Sequence, residues 1–201
     1  METKQLTKAE RRIAICKDAL AQLRLGKYKA DTGTYVDFFD VDLSGADDSN
    51  KLDLSMSAQD FLLGKRGRKE SKECRVCAKG AIFVSLVRKE NKVPLCKLED
   101  DNVRENKTEA LFGAAHLDLI EEAFEGWASK HENMGSYDYN PDLGYKIRTF
   151  RHDMFPNDKD RLVAILENMV ENDGMFKLDQ FFAEQKPKKK PVKKKAVKKM
   201  K

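Results

Sequence analysis

Apolar residues that recur every three to four positions dominate this sequence, and that rhythm restricts the chain to a helical architecture. In the first such stretch Ile13, Cys16, Ala19, Leu20 and Leu23 share one side, while Lys17, Asp18 and Arg24 lie off it. Thr7 and Glu10 precede it at the spacing of a capping box and Gly26 supplies a stop, so the pattern predicts a helix between them. A second stretch, Ala115 to Ser129, sets Leu119, Ile120, Ala123, Phe124 and Trp127 against Asp118, Glu121, Glu122 and Glu125. A third starts behind Asn157 or Asp158, presents Leu162, Ile165, Leu166, Met169 and Val170, and stops at Asn172 to Gly174. The segment Glu73 to Asn91 is apolar enough to read as a buried helix. Its Cys77, Ala78, Ala81, Ile82 and Ser85 form a narrow small-residue face on which another helix can pack.

The remaining segments add little regular structure. Thr32 to Phe39 is β-branched and aromatic, which predicts a short edge or hairpin strand. Asp40 to Asn50 reads as an acidic loop, Ser57 to Leu63 as a short helix ending at Gly64, and Gly64 to Lys72 as an exposed basic connector. Lys130 to Arg151 holds Gly135, Pro141 and Gly144 among tyrosines and predicts an irregular excursion with one strand near Tyr145 to Phe150. A last short apolar element, Met175 to Gln185, precedes the end of the chain. The expected fold is mainly α: a single helical domain of four to five amphipathic helices with a minor two-stranded β element. Its expected core includes Leu20, Leu23, Ile82, Phe83, Leu119, Phe124, Trp127, Leu166 and Met169.

The chain divides by charge as well as by periodicity. Residues 186–201 hold ten lysines and no acid: Lys186, Lys188, Lys189, Lys190, Lys193, Lys194, Lys195, Lys198, Lys199 and Lys201. The whole chain has 39 Lys+Arg and 34 Asp+Glu, so residues 1–185 carry 29 against 34, a net charge of −5. A run of like charges this dense repels itself and buries no apolar surface, which predicts a disordered polybasic tail beside a globular domain of residues 1–185. The partner such a tail fits is nucleic acid. Its lysines, with Lys65, Arg66, Arg68 and Lys69 of the connector, neutralise phosphates and release counterions without reading bases. Lysine has no fork for guanine and the tail has no aromatic residue to stack on a base. A membrane surface fits less well, since no hydrophobic anchor accompanies the lysines.

Motifs that would carry chemistry are weak by comparison. Cys74 and Cys77 form a CxxC unit, and Cys96 and His116 complete a zinc set on paper, but the second pair lies about twenty residues apart. As i and i+3 neighbours on a helix, Cys74 and Cys77 are better read as small buried hydrophobes with reduced thiols. The pairs Glu121/Glu125 and Glu167/Glu171 are one helical turn apart, on sides opposite the apolar stripes, which predicts solvated faces. The acidic side of the Ala115 helix is also a surface onto which the free lysine tail would fold. His116, His131 and His152 stand beside no nucleophile motif, Arg151 to Asp153 is too short for a catalytic loop, and no Walker loop, dinucleotide fingerprint or HExxH occurs. No cofactor, no metal and no enzymatic activity are expected.

Five blocks resemble a family of small, uncharacterised proteins encoded by tailed bacteriophages: Arg11 to Leu23, Thr32 to Tyr35, Cys74 to Ser85, Leu119 to Trp127 and Arg161 to Phe176. The resemblance implies an intracellular, infection-related protein and transfers no functional residue, as no activity is established for that family. The lysine tail lies outside these blocks. The expected function is therefore a non-enzymatic accessory protein that associates with nucleic acid through its tail. The alternative is an interaction protein whose helical body binds and inhibits a host factor. The polar start METKQLTKAERR and the lack of any apolar run near the roughly 20 residues of a membrane span predict a cytoplasmic location.

Overall fold

The computed structural model describes residues 5–38, 56–64, 73–90, 93–98, 100–126 and 141–183, and these are mainly helical with a small three-stranded sheet. The first helix, α1 (Lys8–Arg24), starts as its capping box predicts: the Thr7 side chain accepts from the Glu10 N–H and the Glu10 carboxylate accepts from the Thr7 N–H at 2.8 Å. Its inward stripe is Ile15, Cys16, Ala19, Leu20 and Leu23, with Ile13 only half-buried. Strands β1 (Tyr28–Ala30) and β2 (Val36–Phe38) follow, then the short helix α2 (Ala58–Leu62) and strand β3 (Cys74–Val76). β3 lies between the others, parallel to β1 through Tyr28↔Cys74 and antiparallel to β2 through Val36↔Val76.

Helix α3 (Ala78–Glu90) is the centre of the molecule. Gly80 through Val87 are all buried, and a helix buried on every side needs neighbours all around it. It has them in α1, α2, β2, β3, α4 (Asp101–Phe112) and α5 (Ala114–Glu125). Asp18 of α1 joins it by ion pairs to Arg88 (3.0 Å) and Lys89 (3.6 Å), and Tyr28 shares a hydrogen bond with Ser85 (3.2 Å). Next come α6 (Pro141–Thr149), a π-helical turn (Phe150–Met154), α7 (Asp158–Glu171), which packs against α1, α5 and β1, and the four-residue α8 (Gln180–Ala183). Asn157 caps α7 by accepting from Lys159 and Asp160.

Several expectations are corrected. The Glu73 to Asn91 segment is not one helix: Cys74, Arg75 and Val76 alternate buried, exposed, buried as the central strand, and the helix begins only after Cys77. Cys74 is thus buried on β3 and Cys77 at the single residue between β3 and α3, rather than together on one helical face. The β element has three strands, not two. Tyr145 to Phe150 is helical, because Pro141 and Asp142 open α6 with a fixed φ and an acid in its first turn. Helix α4 was not anticipated at all. Of the expected core, Leu119 is half-buried against it, Trp127 lies outside the described residues, and the other seven are buried.

Candidate functional site

The residues singled out for nucleic-acid binding, Lys65, Arg66, Arg68, Lys69 and the ten lysines of 186–201, lie outside the described residues. What the fold fixes is where those segments leave it. Before residue 65, α2 is held at its C-terminus: the Arg88 guanidinium donates to the Leu62 carbonyl at 2.9 Å and the Gln59 amide to the Arg88 carbonyl at 2.6 Å. After residue 72, the Cys74 N–H donates to the Lys27 carbonyl at 2.9 Å. Before residue 184, α8 is seated on α7 by a carboxamide network. Asn168 and Asn172 each donate to Gln180 Oε1 at 2.8 and 2.7 Å, Gln180 returns a bond to Asn172 at 2.8 Å, and the Lys177 N–H donates to Asn168 at 2.7 Å. Below it, the Phe181 ring packs on Phe150 and Phe155 with centroids 4.9 and 5.7 Å away. Both basic segments therefore depart from ordered anchors.

A second group of charged residues, drawn from separate stretches of the chain, is brought together by the fold. At the carboxyl end of the parallel pair β1/β3, Cys77 stands where the strand turns into α3, and its N–H donates to the Thr34 carbonyl at 2.6 Å. Gly33 and the Cys77 thiol both meet the Glu125 carboxyl near the end of α5. Lys79 bridges Glu121 (2.6 Å) and Asp118 (3.2 Å). Arg151 crosses Gly126 and donates to the Phe124 carbonyl at 3.3 Å. Arg161, almost fully buried, pairs with Asp158, stacks on the Phe124 ring at 5.3 Å and donates to the carbonyls of Arg151 and Phe155. Asp158 in turn accepts from the Thr32 N–H at 3.2 Å. Four distant stretches of chain are tied into one joint.

The expectation of a wholly solvated acidic face on α5 is corrected here, because Glu121 is spent on Lys79 and Glu125 is half-buried. The pair Glu167/Glu171 does face outward, with Glu167 bridged to Arg24 at 2.6 Å.

Chemically the joint favours structure over catalysis. A thiol at a helix start beside a carboxylate has the layout of a nucleophile and its base, but reactivity needs the thiolate. Burial pushes the Cys77 thiol up to about 12, and it accepts instead from the Gly80 N–H at 3.4 Å. Burial also raises Glu125 above the usual carboxylate range. On Lys79, burial opposes the charge, and hydrogen bonds and attraction to Glu121 and Asp118 outweigh it, so its ammonium is held more firmly than usual. The paper zinc set does not assemble: Cys74 and Cys77 are buried, Cys96 is exposed, and His116 accepts from the Phe176 N–H at 3.0 Å. Among the described residues no group of three or more His, Cys, Asp or Glu is placed to hold a metal ion.

One open groove of about 740 Å³ runs along the outward side of α7. Val163 and Ala164 of α7 line it together with Met154 and Phe155 from the chain before α7 and Phe181 and Ala183 of α8. Asp160, Glu167 and Glu171 stand along it. No helix of the described residues is long and apolar enough to cross a membrane. Comparison of the chain with protein-family models, with curated proteins and with solved structures returns no match.

Proposed function

We propose that this chain is a nucleic-acid-associated protein: residues 186–201 contact phosphates without regard to sequence, and the helical body is what they tether. One observation carries this reading, the segregation of charge along the chain. Ten lysines and no acid follow residue 185, while the 185 residues before it sum to −5. A body of that charge repels a polyanion on average, so attraction has to be supplied by the segment that escapes the balance. The arrangement of the body supports the same division of labour. Asp18 pairs with Arg88 and Lys79 with Glu121 across elements, and Asp158 pairs with Arg161 within α7, which suits a stable carrier.

The reading makes a direct claim about truncation. Titrated against fluorescent duplex DNA, single-stranded DNA and RNA, the full chain binds all three, and a chain ending at Gln185 loses binding to each. Retention of full affinity by the shortened chain would move the site onto the body and defeat the reading. Lysine as a point charge also predicts little discrimination among duplexes of different sequence, since base readout needs forked or amide side chains aimed at base edges.

A further inference from the structure

Ala183, the last residue described, lines the groove along α7. Lys186 follows three residues later, within about 11 Å of Ala183 even if the chain between is fully extended. Asp160, Glu167 and Glu171 are spread over twelve residues of α7, or about 16 Å of helix. Glu167 is bridged to Arg24, whereas Asp160 and Glu171 have no ion-pair partner among the described residues. Between these carboxylates lie Val163 and Ala164, flanked by Phe155 and Phe181.

A groove lined by both apolar and acidic side chains suits an extended cationic chain. Lysine stems lie on the apolar side chains while their ammonium groups reach the carboxylates, and Val192 and Val197 supply short aliphatic side chains within the lysine run. Sixteen residues extend to about 55 Å, more than three times the span of the three carboxylates. The α5 face, the acidic surface the sequence suggested for this contact, already holds a cation of its own in Lys79 between Asp118 and Glu121.

We propose that residues 186–201 of the same chain occupy the α7 groove and that nucleic acid displaces them, an inference that rests on the function proposed above. A lysine that neutralises Glu171 does not at the same moment neutralise a phosphate, so the two states exclude each other. The short tether gives the tail an effective concentration in the millimolar range at the groove. Carboxylates near water make each contact weak and screened by salt. Dense phosphate therefore wins, and the closed state appears as a modest loss of apparent affinity, in proportion to its population.

The test uses the full chain with a nitroxide at Met200→Cys in a Cys96→Ser background, where the three remaining native thiols are buried. At low salt the amide signals of Val163, Ala164 and Glu167 broaden and those of Lys107 and Ala110 in α4 stay sharp. Broadening disappears in about 0.5 M salt, where charges are screened within a few ångströms, and on adding excess duplex DNA. The variant D160N/E171Q, which touches no ion pair of the described residues, loses the broadening and binds duplex DNA about two- to ten-fold more tightly. Broadening that is absent, centred on α5, or seen only when spin-labelled and isotope-labelled chains are mixed overturns the proposal, the last by assigning the groove to a second copy. If α7 broadens but the full chain binds no nucleic acid, the docking stands and the function proposed above fails. If duplex DNA binds while α7 stays sharp, the docking alone fails.

Discussion

Replacing Gly80 by alanine sets two local effects of opposite sign against each other. In the interior of a helix, alanine is favoured over glycine by about 1 kcal/mol. Gly80, however, lies against the backbone of the loop before β2, and a Cβ built there falls 1.6 Å from the Tyr35 carbonyl oxygen and 3.1 Å from Val36 Cγ2. That carbonyl has to retreat by roughly 1.5–2 Å to restore an ordinary contact. Its retreat breaks the 2.6 Å bond from the Cys77 N–H to the Thr34 carbonyl and the longer one to Tyr35, each worth about 1 kcal/mol. It also lifts the Tyr35 ring from the edge of Phe83, now 6.4 Å away between centroids, at a cost of about 0.5–1.5 kcal/mol. The losses exceed the propensity gain, and Gly80→Ala is expected to destabilise the protein by about 2 kcal/mol, or about 4–8 °C in Tm for a chain of this size. Urea and thermal unfolding followed by circular dichroism measure it, with an unchanged m-value showing that the two-state comparison is valid. A variant as stable as the parent, or more so, would refute the close approach of α3 to the Tyr35 carbonyl.

Two further outcomes test the interior. Burial holds the thiols of Cys16, Cys74 and Cys77 up near 12 while Cys96 is exposed, so a thiol reagent at neutral pH should modify one cysteine quickly in the native protein and all four after denaturation; two or more fast thiols would contradict the burial. Burial, with the nearby Arg12 charge, lowers His116 from 6.5 to about 4. The unfolded chain then binds a proton in that interval that the native state refuses, so stability rises with pH between 4 and 6.5 and is lost as pH falls through it. Relative to His116→Gln, the parent should lose stability as pH falls through that window, and parallel stability curves for the two proteins would rule this out.

Local signals in the sequence located α1 and α7, because a capping box and an Asn cap act within a few residues of the helices they start. Helix α4 escaped notice because its inward side includes Arg104 and Thr108 beside Leu111 and Phe112. Arg104 stacks over the Tyr35 ring at 4.8 Å, and the Thr108 hydroxyl donates to the Arg104 carbonyl at 2.8 Å, so apolar periodicity fails where polar side chains take inward positions. The Asp100 cap, which accepts from the Val103 N–H, was the available signal. β3 was hidden because three residues of strand run into a helix after a single residue, too few for a period of two to stand out. The charged joint around Arg161 and Glu125 joins stretches more than twenty residues apart in sequence, and no local pattern encodes such a meeting. The polybasic run, by contrast, is a feature of the sequence itself and lies outside the described residues.

The central claim is electrostatic, and the salt dependence of binding tests it most directly. Affinity of the full chain for a duplex DNA is measured between about 50 and 200 mM salt and plotted as log Kobs against log salt; with six to ten of the tail lysines on phosphates the slope is about −5 to −9, a loss of roughly 10³- to 10⁵-fold. The chain ending at Gln185 should show no measurable binding over the same range. A slope near zero for the full chain, or equal slopes for the two chains, would contradict the account.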